Sequence, residues 1–303
     1  MDTPVALAPQ LALDPIVSRL PLDRPFTPAQ AAAAGVSRTA VERMQRTGQV
    51  RRLVRGVYAN ASAPDDLAFR AQVVALAAGG DLVAVDRTAC WVHGISVDLL
   101  SKDGEVPLEL ARTRGRGRGT HRSLAPFDIE CHEGARVSTR LRTALDVGRL
   151  LPPGIALACL DRLMTDGSFT HTQLLASLAR MGGLEGIAQL RVVASLVDTR
   201  ACCAAESLLR WHWNTARVPT AIPAMTVVAS GRLVRLSIGT EHRRFGAVLA
   251  GHVDAEDLLA LEAADWWIVV LPEKRVLEVD QATLTGHLQR EFHQHLLAEV
   301  EAG

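Results

Sequence analysis

Between Phe26 and Tyr58 the chain reads FTPAQAAAAGVSRTAVERMQRTGQVRRLVRGVY, two short helical patterns split by a glycine and followed by an alternating stretch. Few folds accept that order at that length. Thr27-Pro28 is a helix start, a hydroxyl cap followed by the residue that tolerates the first turn. The alanine-rich run 29–34 extends it, and Gly35 supplies the left-handed residue that stops a helix and turns the chain sharply. Ser37 caps a second helix expected from about Arg38 to Thr47 and stopped by Gly48. In it Ala40, Val41 and Met44 recur at spacings of three and four, one buried face. Arg38, Thr39, Glu42, Arg43 and Arg46 are left pointing outward. QVRRLVRGVY then alternates and turns at Arg55-Gly56 as two strands would. The pattern predicts a winged helix-turn-helix. Asp14-Pro15 carries a further helix start ahead of it, with Ile16, Val17 and Leu20 as the apolar stripe.

The outward residues set the expected chemistry. Guanidinium forks pair with phosphates, or bidentately with guanine edges in a major groove, and a capped helix N-terminus attracts phosphate. Arg38, Thr39 and Arg43 are the candidates for base-edge or groove contacts, and Arg46 is a further DNA-binding candidate on the same face. Arg51, Arg52 and Arg55 on the wing are candidates for phosphate contacts. Residues 1–60 hold eight arginines against Asp2, Asp14, Asp23 and Glu42, so a basic head precedes a slightly acidic remainder. The same unit also serves as a protein-interaction module, with solvated arginines and no nucleic acid.

At 303 residues and 48% apolar side chains, the chain can bury two or three cores. Its formal net charge is zero, so attraction to a polyanion must be local. Cys90, Cys131, Cys159, Cys202 and Cys203 form no CxxC pair and are odd in number, which predicts reduced thiols and a cytoplasmic protein. No apolar run approaches a membrane span and no cationic leader opens the chain, so no membrane partner is expected. No phosphate-binding glycine loop and no nucleophile elbow appear, and no cofactor is expected.

Beyond the polar connector 59–66, an alanine- and leucine-rich helix is expected over 67–78. LVAVDRTACWVHGI reads as a buried helix ending at Gly94. VPLELAR (106–112) and FDIEC (127–131) read as strands, joined by RTRGRGRGTHR. Glycine alternating with arginine cannot build a core. Arg112, Arg114, Arg116 and Arg118 form a second basic loop that either wraps a phosphate backbone, with salt-dependent affinity, or simply joins the two strands. Ser138 is read as the cap of a helix ending at Pro152-Pro153. Helices to Met164 and from Thr170 to about Arg180 follow.

Taken together, GVSRTAVERMQRTGQVRRLVRGVY, VSTRLRTALDVGRLLP with Arg142-Thr143 and Asp146, CLDRLMTDGSFT and AESLLR (205–210) resemble, in order, the AbiEi-family type IV toxin–antitoxin antitoxin-domain proteins of actinobacteria. Many of these carry a C-terminal DUF559-like, Vsr-like nuclease-fold region. The resemblance implies a DNA-binding regulator that represses an operon shared with a nucleotidyltransferase-like toxin.

From Ala201 the pattern runs helix, hairpin turning at Ser230-Gly231, strand, helix 254–264, strand WWIVVL, helix 284–301, the layout of a PD-(D/E)XK-type core. Such nucleases hold a hard divalent cation with carboxylates. The resemblance places the first acid at Glu206, but Ser237, Val248 and Ala250 stand where the others belong. One glutamate holds Mg²⁺ poorly, so Glu206 is expected to be a vestigial nuclease position, a surface or helix-capping carboxylate, and the chain no enzyme. The alternative is a metal-dependent endonuclease targeted by the winged helix. His287, Glu291 and His295 share a helix face, and His252 lies near Asp254 and Asp257; neither set makes a convincing metal site. The expected architecture is α+β. Residues 1–60 form the winged helix, 61–200 a mixed α/β middle domain and 201–303 a degenerate PD-(D/E)XK-like core, with operator DNA and a cognate toxin as partners.

Overall fold

Apolar side chains at helical spacing and three well-placed caps organise the amino-terminal unit. The computed structural model describes residues 17–79, 82–113, 120, 121 and 123–302; the start signal at Asp14-Pro15 lies outside them. Helix α1 (Pro28–Ala33) opens on a reciprocal capping box between Thr27 and Gln30, with Thr27 N–H donating to Gln30 Oε1 at 2.8 Å. Gly35 turns the chain at φ +76°. Helix α2 (Arg38–Arg46) is capped by Ser37, whose hydroxyl accepts from the Ala40 amide. Strands β1 (Val50–Val54) and β2 (Val57–Asn60) pair antiparallel around Gly56 at φ +81°, and Phe26 bridges to Tyr58 to add a third short rung. Leu20, Phe26, Ala31, Val36, Val41, Met44 and Val50 form one core beneath this unit. Each large member contributes about 1.5–3 kcal/mol by leaving water.

The same compact unit, Met1–Thr139, continues with α3 (Leu67–Ala78), capped by Asp66. Then come β3 (Val83–Ala84), α4 (Asp86–Val92), α5 (Val97–Leu100), β4 (Leu110–Arg112), β5 (Thr120–His121), β6 (Ile129–His132) and β7 (Ala135–Ser138). The strands make a five-stranded sheet in the order β5-β4-β3-β7-β6. Two expectations are corrected here. The segment 82–94 is not one helix: Val83-Ala84 is the central strand, buried on both faces, and the helix starts only at Asp86. Ser138 is not a cap: it ends β7, fully buried, with its carbonyl 2.8 Å from His93 Nε2. Arg70 links the connector to this layer. It grips Asp65 through two bonds of 2.7 and 2.8 Å and donates to the carbonyls of Trp91 and Ile95. That contact holds the Asp65 carboxyl below its usual range.

The second unit, Arg140–Gly303, begins inside the middle region delimited on sequence. Helices α6 (Arg140–Leu150), α7 (Pro153–Met164), α8 (His171–Ser177) and α9 (Ile187–Ser195) precede α10 (Ala204–Thr215). The Arg142, Thr143 and Asp146 of the resemblance are all buried. Asp146 accepts from Arg142 at 2.7 Å and Arg149 at 3.0 Å. The other two motifs lock to each other: Ser207 Oγ donates to Asp161 at 2.5 Å, and Arg210 pairs with the same carboxylate. Burial pushes Asp161 up to about 6 despite Arg210.

Strands β8 (Ile222–Pro223), β9 (Thr226–Ala229), β10 (Arg232–Arg235), β11 (Ile238–Thr240) and β12 (Phe245–Leu249) follow, then α11 (Ala255–Ala263), β13 (Trp267–Leu271), α12 (Glu273–Glu278) and α13 (Gln281–Ala302). The β9–β10 hairpin turns at Ser230 and Gly231, both at positive φ, the backbone a tight hairpin needs. A four-stranded sheet in the order β13-β12-β11-β8 has β12 and β13 parallel and its other pairs antiparallel. Phe245 packs between Trp213 of α10, at 5.2 Å, and Phe292 of α13, at 5.1 Å. The whole is α+β.

Candidate nucleic-acid interface

Helix α2 divides by burial as its sequence divides by polarity. Val41 and Met44 are 3% and 0% exposed, whereas Arg38, Thr39, Glu42, Arg43 and Arg46 all lie exposed on the opposite side. Burying the first pair fixes where the second set points, since residues three and four apart share a face. Arg38 Nε sits 2.9 Å from Glu42 one turn on. The pair is solvent-exposed and worth a few tenths of a kcal/mol at most, so it orients the Arg38 fork without committing it. Ser37 and the glycine turn leave the N-terminus of α2 open to solvent, where its amide dipoles favour an anion.

The arginines of the β1–β2 hairpin separate into three situations. Arg55 is exposed at the hairpin tip. Arg52 is exposed but ion-paired to Glu105. Arg51 is not an outward cation: it donates to the Ala63 carbonyl at 3.2 Å, and its guanidinium lies over the Phe69 ring at 5.5 Å. Consecutive strand residues point to opposite faces, so Arg51 and Arg52 cannot both face outward. In the second basic loop Arg112 ends β4, half-buried, while Arg114, Arg116 and Arg118 lie outside the described residues.

Glu206 is not a surface carboxylate. It is 3% exposed, on the first turn of α10. Arg235 clamps it with bonds of 2.6 and 2.8 Å, one to each oxygen, and the Cys202 amide adds a third at 2.9 Å. Burial alone would raise this carboxyl; the Arg235 clamp and the Cys202 amide outweigh it and hold the group below its usual range. The Arg235 guanidinium thus neutralises the Glu206 charge and takes up both of its oxygens. Ser237 is buried and accepts from the Leu249 amide, and Val248 is fully buried in β12.

His252 does not join Asp254 and Asp257. Those carboxylates cap α11 and receive Arg232. His295 is stacked on Phe245 with Nε2 2.6 Å from the Arg243 carbonyl, away from a shared site with His287 and Glu291. His252 instead faces Cys202, Nδ1 to Sγ 3.8 Å. Among the described residues, Cys202, Cys203 and His252 are the one grouping of three potential metal ligands, their donor atoms all within 4.8 Å of one another. Sequence reading missed it because adjacent cysteines and a histidine about fifty positions later follow no ligand spacing. Among the described residues no helix is long and apolar enough to cross a membrane.

No curated protein and no solved structure matches the chain. Residues 22–61, which carry α1, α2 and the β1–β2 hairpin with their exposed arginines, match the family model described as transcriptional regulator, AbiEi antitoxin.

Proposed function

We propose that this chain is a sequence-specific DNA-binding transcriptional regulator, an antitoxin-type repressor of its own operon, with a nucleotidyltransferase-like toxin as the cognate partner. The observation that carries the reading is α2: three exposed arginines and a threonine along a capped helix, opposite the buried Val41–Met44 face, within the segment matching AbiEi antitoxin regulators. In the proposed complex α2 enters the major groove, Arg38, Thr39 and Arg43 meet base edges, and Arg46, Arg52 and Arg55 meet phosphates. Arg52 must exchange Glu105 for phosphate to do so. Arg51 holds the wing against α3 and contributes by position alone.

The carboxy-terminal unit acts in this reading as a degenerate nuclease-like scaffold without hydrolytic activity. Its one matching acid is neutralised by Arg235 rather than offered to a metal, and Mg²⁺ needs several free oxygen ligands. A gel shift on the duplex upstream of its own gene tests the reading. The chain retards that duplex in preference to a scrambled one, and Arg38→Ala/Arg43→Ala/Arg46→Ala abolishes the shift without unfolding the protein. Equal retardation of both duplexes, or a shift retained by the triple variant, overturns it. Nicking of plasmid in Mg²⁺ that is lost in Glu206→Ala would restore the nuclease reading.

A further inference from the structure

We propose that Cys202, Cys203 and His252 form a binding site for a soft divalent cation, Zn²⁺, which ties the segment leading into α10 to the turn after β12. The inference is independent of the DNA-binding reading. Zn²⁺ prefers thiolate and imidazole in a tetrahedral shell, with bonds of about 2.3 Å to sulfur and about 2.0 Å to nitrogen. Those lengths separate neighbouring ligand atoms by about 3.5–3.8 Å. Cys202 Sγ and His252 Nδ1 already stand 3.8 Å apart, and Cys203 Sγ lies within 4.8 Å of both. A movement of at most about 1.3 Å by Cys203 Sγ closes the triangle, and the fourth position is left to water.

The donor set excludes the hard cations that PD-(D/E)XK nucleases use. Two sulfurs and a nitrogen suit zinc, whereas Mg²⁺ takes oxygens, and the nearest carboxylate, Glu206, is bound to Arg235 through both oxygens. Charge balances as well. Two thiolates and Glu206 bring three negative charges, Arg235 returns one positive, and a divalent cation neutralises the rest. Cys202 and His252 reach the surface and Cys203 is half-buried, so an ion can enter. Binding displaces a proton from each thiol, and tightens as pH rises.

A reactive, redox-active cysteine pair is the competing occupation of this geometry. Coordination of both thiolates and a Cys202–Cys203 disulfide exclude each other, so air oxidation in the presence of the ion distinguishes the two occupations.

The test uses the full-length, tag-free chain, stripped with chelator under reductant, reloaded with Zn²⁺ or Co²⁺ and desalted. The expected result is one ion per chain, a Co²⁺–thiolate charge-transfer band with the intense visible absorption of a tetrahedral site, and zinc protection of Cys202 and Cys203 from alkylation while exposed Cys131 reacts as before. His252→Ala and Cys202→Ser lose the ion and the protection, and Cys131→Ser keeps them. His252→Asn serves if either variant fails to fold. No retained ion in the wild-type chain, unchanged loading in His252→Asn, or a Cys202–Cys203 disulfide formed in air with zinc present overturns the proposal.

Discussion

Removing the guanidinium from Arg235 is the perturbation that bears most directly on the carboxy-terminal unit. Each of its two bonds to Glu206 is charge-assisted and short, worth about 1.5–3 kcal/mol when a charged acceptor would otherwise be stranded. The Glu206 side chain is 2% exposed but that of Arg235 is 37% exposed, so solvent screening discounts the sum. The amide of Cys202 remains as an acceptor's partner. Arg235→Ala should therefore cost about 2–3 kcal/mol at neutral pH. Glu206→Gln in that background should recover part of the loss, because a neutral amide is far cheaper to bury than an unpaired carboxylate. The pH dependence follows from the direction of the Glu206 shift. Its folded value is depressed below the ordinary 4.5, so the stability it contributes is present above that pH and is lost as pH falls through the folded value. The difference between wild type and Arg235→Ala should shrink over the same range. Urea unfolding followed by tryptophan fluorescence measures all of this, since Trp211, Trp213, Trp266 and Trp267 lie in the second unit and Trp91 alone in the first. A loss under about 0.5 kcal/mol, or a double variant less stable than Arg235→Ala, refutes the reasoning.

Two further pairs of substitutions separate causes that look alike in sequence. Gly183 and Gly186 share φ +79°, but an added Cβ meets open space at Gly183 and lies 2.1 Å from the Arg149 carbonyl oxygen at Gly186. Gly183→Ala should cost about 1–2 kcal/mol from the left-handed backbone alone, and Gly186→Ala clearly more, read by thermal unfolding. On the wing, Arg51→Ala should lower stability by about 1–2 kcal/mol through the lost Ala63 bond and Phe69 contact while leaving the salt dependence of DNA binding unchanged. Arg55→Ala should do the reverse, flattening the log–log salt slope by about 0.9.

The two helices α1 and α2 and the hairpin after them were legible because their signals are local. A hydroxyl cap, an apolar spacing of three and four, and a positive-φ glycine each act over a few residues, and Thr27, Ser37, Gly35 and Gly56 perform as their chemistry predicts. The starts at Asp66, Thr170 and Asp254 were legible for the same reason. Strand β3 was not, because two residues carry no period and a doubly buried strand reads like a helix core. Strand β7 was hidden behind Ser138, a residue equally at home at a cap. Helix α9 had no expectation attached to it, and its N-cap, Gly186, offers no side-chain signal. The inward turn of Arg51 was legible in principle from strand alternation beside Arg52. The Arg235–Glu206 clamp and the Cys202–Cys203–His252 cluster join residues 29 and about 50 positions apart, and only the fold brings them together.

The proposed DNA-binding surface is the exposed side of α2. Fluorescence anisotropy of the labelled duplex from upstream of its own gene, titrated across a salt series with the wild-type chain and with Arg38→Ala/Arg43→Ala/Arg46→Ala, tests it directly. For the wild type, log affinity should fall linearly with log salt. The folded triple variant should show a slope shallower by about 1, because only Arg46 of the three meets phosphate, and should lose at least about a hundredfold in affinity through the missing base-edge contacts. Equal slopes and equal affinities would contradict it.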